Sequence, residues 1–495
     1  MINYWPKFDI RQRQTGNIIM ITFWSQFASF ALNTILILFL TRPIIAHGLQ
    51  YSQAKAYAFI GISGATGYLM PVLGGYMADH VLGLRRSILI GSILLALAYL
   101  LVMLSGYTVS AFGDQLFIAA IALTPAANSL LIGTASGMVS HIYSDDAIRA
   151  KSAMTFYYMA INVGALLATF IAPELLDSRF GPLSVLTLTF VGKAIAALNF
   201  AYRYSLYDSV VFGKDTSQLS REAKYRLISY FVILYLFTIW AYSHIFVASI
   251  VITLGCAGGI GWFLLKTFRL TGESRYKQLV AFILILEAIV FFVIYNQMNT
   301  TLVMFALNNS NKEFLGFTIS PAQYQILNPI LIILLGIQLP RFYQRFPRFT
   351  IPYQFACGTL LAGIALLIMA IAATRAHLGL VNGNYIALTY IVITLAELWV
   401  SAIGLSMIGL YCDPNALAFA MGVWYLACSL SNALSGRLAG WVAIPDNITS
   451  PIDSLPIYQD YYLTVGMVAS LLGIMMLIFA RYLQKYLKKQ GIVLP

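Results

Sequence analysis

Residues 74–86 read Gly74-Gly75-Tyr76-Met77-Ala78-Asp79-His80-Val81-Leu82-Gly83-Leu84-Arg85-Arg86 and lie between two long apolar segments. Glycines allow two membrane helices to approach each other closely. Asp79 is expected to accept a charge-assisted hydrogen bond from an arginine or from the end of a neighbouring helix. An ordinary charged turn is the alternative interpretation. The residues that define this motif are Gly74, Gly75, Asp79, Gly83, Arg85 and Arg86.

The composition on either side of this motif is that of a membrane protein. Hydrophobic residues make up 60% of the 495 residues and charged residues 10%, with a mean hydropathy of +0.80. A soluble domain carries about 25% charged residues, so an apolar solvent around the chain explains the deficit. The net charge of +12 does not indicate nucleic-acid binding, because the basic residues are distributed between the apolar segments and form no single patch.

A helix that crosses a bilayer needs about 20 predominantly apolar residues. Helices are expected, since an open strand in lipid leaves backbone groups unpaired. The sequence predicts six spans, an inserted pair and six further spans. They fall at 17–40, 57–78, 87–105, 117–141, 153–175 and 183–204, then 227–245 and 247–268, then 279–307, 322–339, 351–373, 385–410, 416–442 and 461–483.

Loop charges predict the orientation, because cytoplasmic loops carry an excess of Lys and Arg. The basic residues predicted to be cytoplasmic are Lys7, Arg11, Arg13, Arg85, Arg86, Arg149, Lys151, Lys214, Arg221, Lys224, Arg226, Arg269, Arg275, Lys277, Arg341, Arg345, Arg348, Arg481, Lys485, Lys488 and Lys489. The opposite loops carry Arg42, Lys55, Arg179, Lys312 and Arg375. Both termini are therefore predicted to be cytoplasmic in a multi-pass inner-membrane protein. No cleaved signal peptide is expected before the first span.

This pattern predicts an all-α membrane protein with the major facilitator architecture and 14 spans. Residues 1–206 are predicted to form a six-helix bundle, 207–275 a linker with an inserted two-helix hairpin, and 276–495 a second six-helix bundle with a basic cytoplasmic tail. The 74–86 motif resembles the loop signature of that superfamily. The architecture implies alternating access, with a substrate site near mid-membrane between the halves.

Several stretches within the spans resemble one family of that superfamily, the proton-coupled oligopeptide transporters, and especially bacterial di- and tripeptide permeases. The stretches are Phe156-Tyr157-Tyr158-Met159-Ala160-Ile161-Asn162-Val163-Gly164, the seventh span from Ala281 to Gln297, Gln323–Pro329, Ala396–Ser406 and Met421–Leu426. The inserted helix pair is also typical of bacterial members. The resemblance extends over nearly the whole chain.

The resemblance implies a set of substrate-binding residues. These are Tyr68, Tyr158, Asn162, Gln297, Asn328, Glu397 and Trp424. The asparagines match residues that bind a peptide backbone, and Glu397 matches the acid that receives the amino terminus of the peptide. Independently of the family, Tyr158 and Asn162 share one helix face, and an amide offers both a donor and an acceptor to a peptide bond. Contacts between helices are the alternative role for such residues.

Glu397 is the strongest single candidate, and it is also the candidate for proton coupling. A carboxylate inside the membrane is costly and usually faces the bundle interior or a water-filled cavity. It can bind a cation or take up a proton. Glu287 also lies within a span, where either a structural or a gating role is possible.

The first span departs from the family pattern ExxERFxYYG. The altered positions hold Thr22, Ser25 and Gln26 in that span, and Ile132 in place of a lysine of the fourth span. Glutamine cannot replace a bidentate arginine without loss of charge and geometry. We therefore expect an amine-bearing, amide-rich or otherwise polar substrate without a conventional carboxylate anchor, and the usual coupling is in question.

Lys193 and Arg437 are basic residues in span interiors. Lys193 either supplies a displaced positive charge to the cavity or, as we favour, snorkels or pairs with a neighbouring polar group. The four cysteines and five histidines lie far apart and form no catalytic or metal-binding motif. The sequence thus predicts no enzyme, no cofactor and no metal.

The predicted function is secondary active transport of a small polar, peptide-like solute, coupled to protons and carried out by a monomer. One alternative is a carrier for a non-peptide metabolite such as a siderophore, an amine or a drug, without proton coupling. The other is a ligand sensor that no longer transports.

Overall fold

A computed structural model of the chain describes residues 9–210, 215, 219–346 and 348–489. Of the residues used in the charge argument, Lys7 and Lys214 lie outside this described part. So do residues 490–495, which end the predicted basic tail.

The described residues are predominantly helical. The α-helices of the first half are α1 (Ile10–Thr41), α2 (Gln53–Met77), α3 (Leu84–Phe112), α4 (Gln115–Ile121), α5 (Leu123–Ile142), α6 (Ala147–Asp177) and α7 (Gly181–Tyr202). They are followed by α8 (Arg221–Ser243), α9 (Ile245–Phe268), α10 (Gly272–Tyr295), α11 (Thr301–Asn309), α12 (Leu327–Gly336), α13 (Leu339–Arg345), α14 (Ile351–Thr374), α15 (Gly383–Tyr411), α16 (Leu417–Gly440) and α17 (Pro451–Lys489).

Shorter elements join some of these helices. A π-helical turn spans Ala78–Leu82, and 3₁₀ turns span Ile44–Ala46, Tyr204–Tyr207, Asn296–Asn299, Gln323–Ile326 and Pro414–Ala416. A small antiparallel hairpin, which the sequence did not predict, pairs β1 (Glu313–Phe314) with β2 (Phe317–Thr318).

The number of membrane spans agrees with the prediction. Within the described residues, 13 helices are long and apolar enough to cross a membrane, and the count reaches 14 if one bent pair is taken as a single span. That pair joins 3₁₀ residues Gln323–Ile326 and α12 to α13 with a bend of 53°. Pro340 at the start of α13 accounts for the bend, because proline lacks an N–H and its ring clashes with the carbonyl four residues earlier.

The predicted span 279–307 is not one continuous helix. It divides at a 3₁₀ turn, Asn296–Asn299, followed by Thr300 with a non-helical backbone at φ −128° and ψ −90°. The sequence there is a polar run whose side chains compete for the backbone. Thr300 Oγ1 donates to the carbonyl of Asn296 at 3.2 Å, and Gln297 Nε2 donates to that of Val293 at 3.0 Å.

The motif at 74–86, expected as a loop, is mostly helical. Helix α2 continues to Met77 and passes into the π-helical turn, which ends at Leu82 and is followed by Gly83. Gly83 has φ 83°, a backbone conformation that favours glycine. A Cβ on Gly74 would collide with the backbone of Ser129 on α5, so close approach of α2 and α5 requires glycine there.

The chain divides into two compact units. The first contains the described residues within Met1–Asn33, Ile44–Leu49 and Met70–Ser243, and the second those within Thr34–Pro43, Gln50–Leu69 and His244–Pro495. The two helices of the inserted pair belong to different units: α8 to the first and α9 to the second. The boundaries predicted from the sequence, at residues 206 and 275, stay predictions.

Each inserted helix is anchored within its own unit by polar contacts. On α8, the hydroxyl of Tyr230 lies 2.6 Å from Ser129 Oγ, and Tyr235 donates to the carbonyl of Ala119 at 3.0 Å. On α9, Cys256 Sγ contacts Ser429 Oγ of α16 at 3.6 Å. These contacts attach helices whose other faces expose large apolar side chains, as lipid-facing helices do.

Candidate functional site

Glu397 of α15 is the centre of a polar cluster in the second unit. Its Oε2 accepts a hydrogen bond of 2.6 Å from Nδ2 of Asn328 on α12. The Tyr295 hydroxyl, at the end of α10, hydrogen-bonds to the same carboxyl group. Thr394, one turn before Glu397, receives a second bond from Asn328 at 3.2 Å. Three helices that are far apart in the sequence therefore converge on one carboxyl group.

The Glu397 carboxylate retains capacity for another partner. A carboxylate has two oxygens and can accept about four hydrogen bonds, whereas the described contacts supply two donors. The residue as a whole is half-buried. An ammonium group is a suitable further partner, since it brings both donors and an opposite charge.

Tyr68 of α2 belongs to the same cluster, as the sequence predicted. It interacts electrostatically with Glu397 and with Tyr295, and 44% of it is exposed. Asn328 is half-buried. The structure thus brings together Tyr68, Asn328 and Glu397 from the predicted set, and adds Tyr295, which the sequence analysis missed. The signal for Tyr295 was its place just before the polar run that interrupts the span.

Gln297 is engaged elsewhere in the second unit. It is fully buried, and its Nε2 donates to Ser435 Oγ at 2.9 Å as well as to the carbonyl of Val293. Its Oε1 accepts from Tyr461 at 2.9 Å and Thr301 at 3.2 Å. In this conformation the amide joins α16 and α17 to the broken span, and its role in substrate binding stays a prediction.

Trp424 of α16 packs in the interior of the second unit. Only 4% of it is exposed, and its ring meets Phe292 edge-on at 6.0 Å and Phe355 at 6.4 Å between centroids. A Cβ on Gly404 of α15 would overlap the indole ring. Glycine at this position therefore allows α15, which carries Glu397, to lie against Trp424. A pocket role for Trp424 stays a prediction.

Tyr158 and Asn162 lie on α6 in the first unit, where they differ in accessibility. Tyr158 is 54% exposed and Asn162 only 8%. Asn162 Nδ2 donates to the backbone carbonyl of Tyr158, one helical turn earlier, at 2.9 Å. The neighbouring Tyr157 hydrogen-bonds to Thr22 of α1.

One of the altered first-span positions, Ser25, belongs to a second polar cluster, which is centred on Lys193 of α7. The Lys193 ammonium donates to the Ser25 carbonyl at 2.7 Å, to Ser25 Oγ at 2.9 Å and to Ser29 Oγ at 2.8 Å. It also lies 4.9 Å from the ring centroid of Tyr99 on α3. Lys193 is 2% exposed, so it is paired with neighbouring polar groups and does not snorkel. Gln26 and Ile132 are half-buried.

The motif around Gly83 is held by acids that the sequence analysis did not single out. Asp215, which is 4% exposed, accepts from the backbone N–H groups of Arg85 at 2.9 Å and Arg86 at 3.3 Å, at the start of α3. The Arg85 side chain pairs with Asp208. Asp79 is exposed, and the described residues give it no hydrogen bond or ion pair. Asp208 and Asp215 thus make the contacts with arginines and with a helix end that we expected of Asp79.

Two further charged groups of the second unit have buried atoms without described partners. They are Oε2 of Glu287, whose residue is 7% exposed, and Nε and Nη2 of Arg437. No group of three or more metal-ligating side chains occurs among the described residues.

Comparison with known proteins shows which family the chain resembles. The chain matches the family described as PTR2, POT family, over residues 85–454. It is 31% identical over 472 residues to dipeptide and tripeptide permease A of Cronobacter turicensis, covering 94% of this chain and 92% of the relative. It is 29% identical over 479 residues to dipeptide and tripeptide permease B of Salmonella typhimurium, covering 96% of each protein.

Solved structures show the same fold. The structure of tetrameric PepTSo2 matches with a TM-score of 0.84 and 24% identity, covering 96% of this chain and 99% of that one. A bacterial homologue of the human drug peptide transporters PepT1 and PepT2 matches with a TM-score of 0.80, also at 24% identity and with the same coverage. The likeness confirms the fold class predicted from the sequence.

Proposed function

This chain belongs to the POT family, and from that premise we propose that it is a secondary transporter of small peptide-like solutes. The solute carries a positively charged amine that binds Glu397, and transport is coupled to protons through alternating access. The observation that carries this proposal is the carboxylate of the half-buried residue Glu397, which receives hydrogen bonds from Asn328 and Tyr295 and has capacity for a further donor.

The chemistry of the Glu397 cluster suits the amino end of a peptide. An ammonium is a compact charge with three donors, and the carboxylate supplies both opposite charge and acceptors. The Asn328 amide and the Tyr68 side chain lie beside it, where they can hydrogen-bond a peptide group. The names of the permease relatives support peptides as the solute class.

The carboxyl end of the solute is proposed to contribute little to binding. Thr22, Ser25, Gln26 and Ile132 are all uncharged. The nearby ammonium of Lys193 is buried and already donates to three acceptors. Without a free cation at these positions, a peptide carboxylate has no partner there of the kind that charge-assisted recognition needs.

The proposed setting is the inner membrane, with both termini cytoplasmic, a monomer as the transporting unit, and neither a cofactor nor a catalytic role. The distribution of Lys and Arg among the loops supports the orientation. The multi-pass architecture of the described residues supports the membrane setting.

Uptake by purified protein in liposomes with an inward proton gradient tests the proposal. The solutes are dialanine, dialanine with its amine acetylated, and dialanine with its carboxylate amidated. We expect acetylation to abolish uptake and amidation to leave it equal or increased. Strong preference for free dialanine over its amide would contradict the missing carboxylate anchor, and uptake of the acetylated form would contradict the amine site.

The uncharged first-span positions also favour a second candidate, a carrier for a non-peptide amine or siderophore that is independent of protons. A thermal-shift series with peptides, amines, amino acids and siderophores separates the two, because a specific ligand stabilises the folded state by mass action. Counterflow of the stabilising ligand in vesicles then distinguishes a carrier from a sensor that binds without transport.

A further inference from the structure

The bend between α12 and α13 forms one wall of an open cavity in the second unit. The cavity has a volume of about 810 Å³ and lies between these two helices and α15. Its walls are largely apolar, with Leu334 and Ile337 on one side and Leu395 and Leu398 on the other. Leu334 is 57% exposed and Ile337 73%. The helices on both sides belong to predicted spans, and the exposed Leu334 and Ile337 side chains present apolar surface to whatever fills the cavity.

Two arginines are among the residues that line this apolar cavity. Arg341 and Arg345 line it from α13, four residues apart and hence on the same face of the helix. Both side chains are exposed, and neither forms an ion pair with a carboxylate of the described residues. None of the described lining residues is acidic. The site therefore combines an apolar interior with an uncompensated double positive charge at its edge.

Aromatic rings fix the position of the arginine-bearing helix. Phe342 of α13 stacks on Trp399 of α15 with 6.2 Å between ring centroids, and Phe349 meets the same indole edge-on at 5.2 Å. Tryptophan is enriched at the level of lipid headgroups. The stacking holds α13 against α15, so the two guanidinium groups stay beside the cavity.

We propose that this cavity is a binding site for an anionic phospholipid, with an acyl chain between α12 and α15 and the headgroup phosphate on Arg341 and Arg345. Two guanidinium groups can bind the headgroup phosphate bidentately, and their unpaired positive charge favours a headgroup with net negative charge. The end of the membrane to which the loop charges assign these arginines is the one where anionic headgroups attract basic clusters. A zwitterionic lipid with the same chains lacks the net charge that the two arginines complement.

Native mass spectrometry of the full-length protein with added dioleoyl phosphatidylglycerol or dioleoyl phosphatidylcholine tests this inference. We expect retention of phosphatidylglycerol on the wild type and a loss of roughly tenfold in Arg341→Gln/Arg345→Gln. The matched control is Arg481→Gln/Lys485→Gln, which removes two exposed charges from α17. That control is expected to retain the lipid.

A second variant distinguishes lipid binding in the cavity from a general attraction of anionic lipid to basic residues. Leu395→Trp places a larger side chain in the cavity without a change of charge, and this variant is also expected to lose phosphatidylglycerol. The inference would be overturned if the Arg341→Gln/Arg345→Gln variant and the Arg481→Gln/Lys485→Gln control lost phosphatidylglycerol equally. It would also be overturned if the wild type retained the two lipids equally. It would also be overturned if inorganic phosphate alone displaced the lipid. None of these outcomes depends on which solute the protein transports.

Discussion

Two ionisable groups within the spans, Lys193 in the first unit and Glu397 in the second, are held in different ways. Lys193 is 2% exposed, and three acceptors from α1 match the three donors of its ammonium. Glu397 is half-buried, and its carboxylate receives two described donors, from Asn328 and Tyr295. All the donors of the Lys193 ammonium are filled, whereas the Glu397 carboxylate keeps spare acceptor capacity on a partly exposed residue.

The difference indicates which charge serves structure and which serves binding. A buried donor or acceptor without a partner costs about 1–3 kcal/mol, so saturation of Lys193 stabilises the packing of α7 on α1. A carboxylate within a span that keeps spare acceptor capacity, such as that of Glu397, is instead available to bind a ligand. Sequence position alone does not separate the two cases, since both residues lie in span interiors.

The largest expected effect is that of Glu397→Gln on transport. The glutamine keeps the size of the side chain and can still bond Asn328, but it removes the charge that the amine needs. Truncation of one partner of a hydrogen-bonded charge pair costs about 2–5 kcal/mol. We expect uptake of an amine-bearing peptide to fall by at least about 30-fold, with little change in melting temperature.

Glu222→Gln on the exposed face of α8 is the matched control for this variant, because Glu222 pairs only with Arg226 among the described residues. Initial rates of uptake in liposomes provide the measurement. Wild-type rates in Glu397→Gln would remove the distinction between Lys193 and Glu397.

The next effect is that of Lys193→Ala on stability. The change leaves the acceptors of Ser25 and Ser29 unfilled and creates a cavity, which together are expected to cost about 2–4 kcal/mol. Lys193→Met keeps most of the volume and isolates the loss of the hydrogen bonds. Thermal unfolding in detergent is the measurement. If Lys193→Ala unfolds like the wild type but fails to transport, Lys193 takes part in the transport cycle and the comparison is reversed.

A smaller effect is expected from Gly404→Ala, which tests how α15 presents Glu397. The new methyl group would overlap the Trp424 indole, and overpacking of this kind costs about 1–3 kcal/mol. Both the melting temperature and peptide affinity should decrease, because α15 must shift. Trp424→Leu in the same chain makes room and should restore stability. Gly409→Ala on the same helix, where a Cβ meets no atom within 4 Å, is the control.

The smallest effect concerns the exposed ion pair between Arg11 and Asp145, which has Nη1···Oδ1 at 2.8 Å. The hydrogen bond from Arg11 lowers the pKa of the Asp145 carboxyl. A lowered pKa means that the stabilisation is present above the ordinary value and is lost as pH falls through the folded-state pKa. The stability difference between the wild type and Asp145→Asn should therefore vanish in acid and shrink with added salt. A difference that persisted at low pH would contradict this assignment.

Much of the fold could be predicted from the sequence because membrane spans leave a strong local signal. Apolar length predicted the spans, although the polar run at Asn296–Thr300 and the Gly336–Pro340 bend interrupt two of them. The interruptions were missed because apolar length averages over single polar or helix-breaking residues. The meeting of Tyr68, Asn328 and Glu397 followed from the family resemblance. Tyr295 and Asp215 were missed because no local pattern reports which helix faces which.

By itself, the sequence determined the family, the number of spans and the loss of charge from the first span, because these depend on residue identity and apolar length. The tertiary structure decided where the remaining charges find partners. Lys193 meets Ser25 across 168 positions of chain, and Asn328 meets Glu397 across 69. Such pairs are chosen by helix packing, which brings buried polar groups together because lipid offers them no hydrogen bonds.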